Sequence, residues 1–266
     1  MEASTRPLAL VTGASSGIGL ELARQFATND FDLIVVAEDD ELIDAAKDLQ
    51  RHGTSVEVLK VDLASHDGVE RLWEYVESRG RPIAAAALNA GVGSGGAFKD
   101  TDLQKELALV DLNCRSTVHL AKYLLLDMAA RDEGRVLFTS SIAATMPGAF
   151  QAVYNASKSF VQSFALALRN ELKDTGVTVT SLMPGPTDTE FFERAEMTDT
   201  AVGQSDSKDD PADVAKDGFE ALMAGKERVV SASMTTKAQG RMSRVLPDTA
   251  KAEIHRKMAE PGSGKN

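Results

Sequence analysis

Leu8-Ala9-Leu10-Val11-Thr12-Gly13-Ala14-Ser15-Ser16-Gly17-Ile18-Gly19-Leu20-Glu21-Leu22 carries an apolar strand-like run into a glycine-bearing turn and then into a helical pattern. Glycines let the backbone turn sharply and approach a ligand closely. A helix N-terminus adds free N–H groups and the positive end of a dipole. A pyrophosphate suits such a place. The loop lacks a Gly-Lys-Ser/Thr ending, which excludes a phosphate-loop NTPase, and its glycine spacing differs from G-x-G-x-x-G. Taken alone, it also reads as a tight strand-to-helix turn with no ligand.

The alternation continues along the chain. Asp32–Ala37, Ser55–Val61, Ile83–Leu88, Arg135–Ser140, Thr178–Met183 and, more weakly, Arg228–Ser231 read as further short strands. Near-continuous hydrophobicity suits strands covered on both faces. Between them Gly17–Thr28, Asp40–His52, Asp67–Arg79, Asp102–Arg131, Tyr154–Thr175 and Pro211–Ala224 have helical period. Right-handed crossovers then build one α/β domain over 1–260, a doubly wound, Rossmann-like parallel sheet of about seven strands. Asp188–Asp210 has no period and is long for a connection, as lids and binding loops often are. Asp210 is placed to cap the following helix, with Pro211 at its first position. Met234–Glu260 reads as partly helical, interrupted by Pro247. Residues 261–266 read as a flexible Gly/Ser-rich tail.

The 266 residues are 43% hydrophobic and carry a net charge of −11. That balance argues against nucleic-acid binding through phosphate neutralisation, and against a polybasic membrane contact. Cys114 is the only cysteine, which excludes an intramolecular disulfide and a multi-cysteine zinc site. No apolar run approaches the ~18 residues of a membrane span. The first residues lack a signal-peptide pattern. A soluble, reduced, cytoplasmic protein is expected.

Tyr154 and Lys158, four apart on an expected helix, share one face. A phenol with a pKa near ~10 is a poor acid–base group at neutral pH, and a neighbouring ammonium is expected to pull that value down. As an isolated pair they read equally well as a core-edge tyrosine and a solvated lysine.

Taken together and in order, these signals resemble the short-chain dehydrogenase/reductase family of the compact, non-extended kind, from about Leu8 through Leu222. Thr12-Gly13-x-x-x-Gly17-x-Gly19 looks like its cofactor loop, with Ser15, Ser16 and Ile18 inside it. Asp62-Leu63 looks like its adenine-side pair, and Asn89-Ala90-Gly91 like its Asn-Ala-Gly motif. Asn113 falls where the family keeps an asparagine. Ser141 stands thirteen residues before Tyr154, a better fit to the family's serine than Ser140. Pro184-Gly185-Pro186-Thr187-Asp188-Thr189 is similar to the segment beside the nicotinamide, with Thr187 where the family usually has Val or Ile. The resemblance implies hydride transfer between a nicotinamide cofactor and a small-molecule alcohol or carbonyl. It makes Tyr154 the acid–base group and Lys158 its tuner and the holder of the nicotinamide ribose. Ser141 would bond the substrate oxygen, and Asn113 would position a water linking Lys158 to solvent. It further implies a homodimer or homotetramer, packed through the helices after the fourth and fifth strands.

Glu38, at the end of the second strand, is placed to accept bonds from a ribose 2′-OH and to repel a 2′-phosphate, which favours NAD over NADP. A shift of one residue would aim Ala37 or Asp39 there instead. His52, His66, His119 and His255 are scattered without metal-site spacing, so no metal is expected. Cys114 reads as a small buried hydrophobe. Met146, Pro147, Phe150, Phe191, Phe192 and Met197 are candidates to line an apolar substrate pocket. The rival from another class is a non-catalytic dinucleotide-sensing regulator or scaffold. Such a protein has no physical need for Asn113, Ser141, Tyr154 and Lys158 together.

Overall fold

In the computed structural model, which describes residues 6–231 and 246–264, the strands are β1 (Leu8–Thr12), β2 (Asp32–Ala37), β3 (Val56–Lys60), β4 (Ile83–Leu88), β5 (Gly134–Thr139), β6 (Val177–Met183) and β7 (Arg228–Val230). They pair in parallel in the order β3-β2-β1-β4-β5-β6-β7. The order reverses between β1 and β4. In such sheets ligands bind at the carboxyl ends of the strands beside the reversal.

The helices are α1 (Gly17–Thr28), α2 (Glu41–Gln50), α3 (His66–Ser78), α4 (Leu103–Val110), α5 (Thr117–Arg131), α6 (Ala152–Glu171), α7 (Phe191–Arg194), α8 (Pro211–Met223) and α9 (Asp248–Ala259). Successive strand side chains point to opposite faces. Ala9, Val11, Leu33 and Val35 therefore pack with Leu22, Phe26, Leu42 and Phe219 of α1, α2 and α8. Leu10, Ile34, Val36 and Phe138 pack on the other face with Leu72, Leu124 and Val161 of α3, α5 and α6. Both faces are covered, which is why these strands read as unbroken apolar runs rather than alternating ones.

Helix starts follow the capping chemistry. Asp102 accepts from the N–H groups of Gln104 and Lys105, and Asp210 accepts from Ala212 at 2.8 Å, with Pro211 in the first turn as expected. The expected helix Asp102–Arg131 is interrupted by a π-helical turn over Asp111–Ser116. A wider turn of this kind often marks a functional position.

Asp188–Asp210 is more ordered than its lack of period suggests. Its ends meet at a bridge between Thr187 and Asp209, closed by Asp188 N–H to Asp209 O at 2.9 Å and Asp209 N–H to Pro186 O at 2.8 Å. Inside it α7 buries Phe192, and Ala195 and Met197 join the same cluster, packed on Ala259 of α9. A four-residue helix is too short to show a period, and its partner lies far along the chain. The expected flexible tail differs too, over 261–264. Gly262 and Gly264 donate to Asp199, and Ser263 Oγ accepts from Ala201 N–H at 3.0 Å. Of the segment Met234–Glu260, the part up to residue 245 lies outside the described residues. Among the described residues no helix is long and apolar enough to cross a membrane.

Candidate active site

The turn after β1 is built on glycine. Gly13 and Gly17 have φ of 66° and 54°, in the left-handed region that side chains disfavour. Gly19 is required by space: a Cβ there would stand 1.8 Å from Gly13 O and 2.6 Å from Asn89 Nδ2. Asn89 Nδ2 donates to Thr12 O and Gly13 O at 3.3 and 3.4 Å. Thr12 Oγ1 accepts from the N–H groups of Asn89 and Ala90 at 3.0 and 3.1 Å. The ends of β1 and β4 are thus laced together at the reversal of strand order. Ser16 caps α1 without a side-chain bond and no acid occupies the first turn, so the helix N–H groups are left for an anion.

One cavity of about 290 Å³ gathers almost every residue singled out from the sequence. Gly13, Ser15, Ser16, Gly17, Ile18 and Gly19 line it with Glu38, Asp62 and Leu63. Asn89, Ala90 and Gly91 follow, and the far wall holds Pro184, Gly185, Thr187 and Thr189 beside Ser141, Tyr154 and Lys158. Asn113 stands behind this wall, 1% exposed. Its Oδ1 accepts from Val92 N–H at 2.9 Å, and its Nδ2 donates to Val92 O at 2.9 Å and Ser157 Oγ at 3.0 Å. Ser157 is one residue from Lys158, so Asn113 ties the loop after β4 to α6. A Cβ on Gly91 would lie 3.0 Å from Asn113 Oδ1 and 3.2 Å from Lys158 Nζ. The asparagine and the lysine thus meet across that glycine.

Both serines line the cavity, and their hydroxyls differ in partner. Ser140 Oγ donates to Lys158 O at 2.9 Å. Ser141 Oγ donates to Pro184 O at 3.4 Å, accepts from Ala143 N–H at 3.1 Å, and neighbours the Tyr154 hydroxyl. Lys158 Nζ donates to Thr139 O at 3.0 Å and lies 5.9 Å from the centre of the Tyr154 ring. Burial pushes the Tyr154 phenol up to about 12, against the pull of its hydrogen bond with Ser141. Burial likewise pushes Lys158 down to about 8. The expected lowering of Tyr154 by Lys158 does not emerge in this geometry: burial dominates, and the opposing pull comes from Ser141.

Several other expectations shift. Glu38 is exposed at the cavity edge, whereas Asp39 turns inward and accepts from Ser15 Oγ at 2.9 Å. Asp39 Oδ1 is buried with no hydrogen-bond partner. The acidic run 38–41 carried this signal, but not which member faces in. Met146, Phe191 and Phe192 line the cavity as expected. Phe150 and Met197 instead pack into the cluster beneath it, and Pro147 belongs to a separate surface depression. Phe191 stands over Tyr154 with ring centres 5.2 Å apart, in the space that a Cβ on Gly93 would fill. Gln151, Val202, His255 and Met258 also line the cavity and were missed, the last two because nothing local in the sequence ties α9 to this site.

The histidines are less scattered than they read. His66 and Glu70 are one turn apart, and with His119 they bring possible ligand atoms within 4.8 Å of one another. Glu70 Oε1 already accepts from Tyr123 and bonds His119, each at 2.7 Å. The two imidazoles are stacked at 13°, so their in-plane lone pairs do not converge on a common ion. The half-buried Cys114 thiol is pushed up by burial, away from the reactive thiolate.

The residues present fit a dinucleotide. Glycines hold open a cradle at an uncapped helix N-terminus, and the buried Asp39 Oδ1 is an acceptor without a donor.

Comparison with known proteins adds a second line. A family model described as short chain dehydrogenase matches residues 7–200. The chain is 31% identical over 217 residues to an uncharacterized oxidoreductase of Staphylococcus saprophyticus, covering 81% of this chain and 90% of that one. It is 31% identical over 180 residues to an NADP-dependent 3-hydroxy acid dehydrogenase of Salmonella typhi, covering 67% and 71%. It is 34% identical over 178 residues to a very-long-chain 3-oxoacyl-CoA reductase of Podospora anserina, covering 64% of this chain and 52% of that one. The chain thus spans about half the length of that reductase. A short-chain dehydrogenase from Sphingobium yanoikuyae in complex with NADPH superposes with a TM-score of 0.79 at 25% identity, covering 91% and 96%.

Proposed function

Because the chain belongs to the short-chain dehydrogenase family, we propose that Tyr154, Ser141 and Lys158 carry out its oxidoreductase chemistry on a hydrophobic alcohol or ketone. The chain is an oxidoreductase that uses a nicotinamide cofactor and a small-molecule substrate. One observation carries the assignment of residues: Ser141, Tyr154 and Lys158 line the same cavity that the glycine loop opens onto.

In reduction, Tyr154 Oη donates its proton to the carbonyl oxygen while Ser141 Oγ holds that oxygen as negative charge develops on it. A phenol pushed up to about 12 stays protonated through neutral pH, so it is ready to act as the acid. In oxidation the deprotonated form of the same oxygen would accept the hydroxyl proton, and a phenol pushed up to about 12 makes that form scarce at neutral pH. The nicotinamide, when bound, supplies or takes the hydride. Lys158 holds the ribose side, and Asn113 positions the loop after β4 through Val92. Phe191, Phe192, Met146 and Val202 make the substrate side apolar, which supports a hydrophobic alcohol or ketone. The test is a panel of alcohols, ketones and 3-oxoacyl thioesters with both cofactors, read at the nicotinamide absorbance. No turnover anywhere would favour the sensing role.

Lys158 sets a pH limit. With its ammonium pushed down to about 8, Lys158 is charged below that pH and neutral above it. In the reducing direction, kcat/KM for the cofactor, which reports ionisations of the free enzyme, is expected to fall above about pH 8. A profile flat to pH 10 overturns this role.

NAD is the preferred cofactor in this reading. Glu38 and Asp39 both line the adenosine end, and the only cations lining the cavity among the described residues are Lys158 and Arg194. A 2′-phosphate there meets carboxylates: two like charges at about 4 Å repel by up to ~4 kcal/mol before solvent and salt reduce it. The competing reading, NADP, is favoured by the name of the Salmonella typhi relative and by the Sphingobium complex. Fluorescence titration with NADH and NADPH decides. NADH is expected to bind about tenfold tighter, with Asp39→Asn narrowing the gap; tighter NADPH binding reverses the assignment.

A homodimer or homotetramer fits the same reading. Leu107 and Val110 of α4, Val118 of α5 and Phe160 of α6 are exposed, on the helices after β4 and β5.

A further inference from the structure

His255 is the one histidine in the cavity wall, and the chemistry described so far makes no use of it. It comes from α9, the last helix, and is 5% exposed. Its Nδ1 lies 2.9 Å from Ala149 O. A backbone carbonyl only accepts, so Nδ1 carries the proton, and in the neutral ring Nε2 is left as an acceptor. Burial lowers the His255 pKa, which keeps the ring neutral. Nε2 has no hydrogen-bond partner among the described residues.

The placement of this ring is determined twice over. The neighbouring pair repeats the contact, with the Arg256 guanidinium 5.1 Å over the Phe150 ring. Phe150 itself has φ of 64°, a strained conformation for an aromatic residue, and its carbonyl accepts from Gly96 N–H at 2.9 Å. Adjacent residues of α9 thus grip adjacent residues of the turn before α6. The result is a buried imidazole with one nitrogen tied down and the other unused. Around it the wall is apolar, with Phe192, Val202 and Met258.

We infer that His255 is a substrate-specificity residue, whose Nε2 accepts a hydrogen bond from a hydroxyl on the part of the substrate remote from the reacting carbon. The substrate class is accordingly a hydrophobic ketone or alcohol bearing a second hydroxyl. This rests on the reading that the reacting oxygen sits at Tyr154 and Ser141.

The test uses binding, so that it does not depend on turnover. Tyr154→Phe protein loaded with reduced cofactor is titrated calorimetrically with phenylcyclohexanone and with its ortho-, meta- and para-hydroxyphenyl counterparts. At least one hydroxylated isomer is expected to bind about tenfold tighter than the parent, the size of one neutral hydrogen bond. His255→Asn keeps a donor for Ala149 O but has no Nε2, and is expected to bring that ratio to about one. His255→Gln keeps an acceptor at the Nε2 position and loses the tie, and is expected to retain part of the preference. No preferred isomer, including no binding at all, overturns the inference. So does a preference that survives in His255→Asn. Thermal melting of each variant identifies any that fail to fold. If wild-type protein turns over none of the four ketones while the binding pattern holds, the catalytic reading fails and the specificity residue stands.

Discussion

Tyr154→Phe is expected to lower kcat by about 10²–10⁴-fold, the usual worth of a single acid–base group, and to leave cofactor affinity within about twofold. Only the hydroxyl is removed. The ring stays packed against Phe191, so neither the fold nor the cavity has reason to change. Ser141→Ala removes a hydroxyl that lines the cavity beside Tyr154 and is expected to cost about 10²-fold or more, as loss of an oxyanion donor does. The decisive contrast is Ser140→Ala. Its hydroxyl donates to Lys158 O inside the protein, so losing it is expected to cost about 1 kcal/mol of stability with kcat within a few-fold of wild type. Steady-state kinetics with melting curves separates these outcomes. Equal losses in the two serine variants would put the reacting oxygen elsewhere.

Gly19→Ala is expected to weaken cofactor binding by about 100-fold or more. The added methyl would meet the carbonyl of Gly13 at 1.8 Å. That atom is backbone, held by Asn89 Nδ2, so it cannot swing away as a side chain would. Either the turn opens or α1 shifts, and both spoil the cradle. Overpacking of this kind costs about 1–3 kcal/mol. At about 2–4 °C per kcal/mol for chains of this size, Tm should drop by on the order of 5 °C. Gly53→Asn is the control: its φ is 77° with nothing within 4 Å of a Cβ, and asparagine tolerates that conformation. It is expected to bind NADH as wild type does. Isothermal titration with differential scanning reads both, and normal NADH affinity in Gly19→Ala would refute the cradle.

The sheet was legible because both its faces are covered. Leu10 and Val11 point to opposite sides, yet each meets a helix, so the central strands advertise themselves as apolar runs. The edge strands β3 and β7 carry exposed and charged residues. The glycine loop was legible because glycine is favoured at those φ values and alone fits the close approaches at Gly13 and Gly19. The spacing to Tyr154 favoured Ser141 over Ser140, and the kinetics of the two alanine variants decide between them. The choice between Glu38 and Asp39 was beyond the sequence, since one residue at a strand end exchanges which side chain faces the loop. The π-helical turn at Asn113 was hidden because one wider turn barely disturbs the period of a long helix. His66, Glu70 and His119 were unreadable as a group, since the packing of α3 against α5 brings them together. The cavity's distal wall was unreadable for the same reason: α9 reaches it from the far end of the chain.

The joint between Thr187 and Asp209 bears on how such a protein changes its diet over generations. What hangs beyond that joint leaves and returns at one point on the scaffold, and the joint is fastened by backbone atoms on both sides. Backbone bonds do not depend on which side chains follow. Lengthening a flexible loop twofold costs only about 0.6 kcal/mol of closure entropy. Within residues 190–208, Phe191 packs on Tyr154, and Phe192 and Met197 pack toward α9. The other positions can therefore be exchanged or extended while the hydride chemistry beneath is inherited unchanged. Novelty in this lineage can enter through a cassette, leaving the machine that reads it alone.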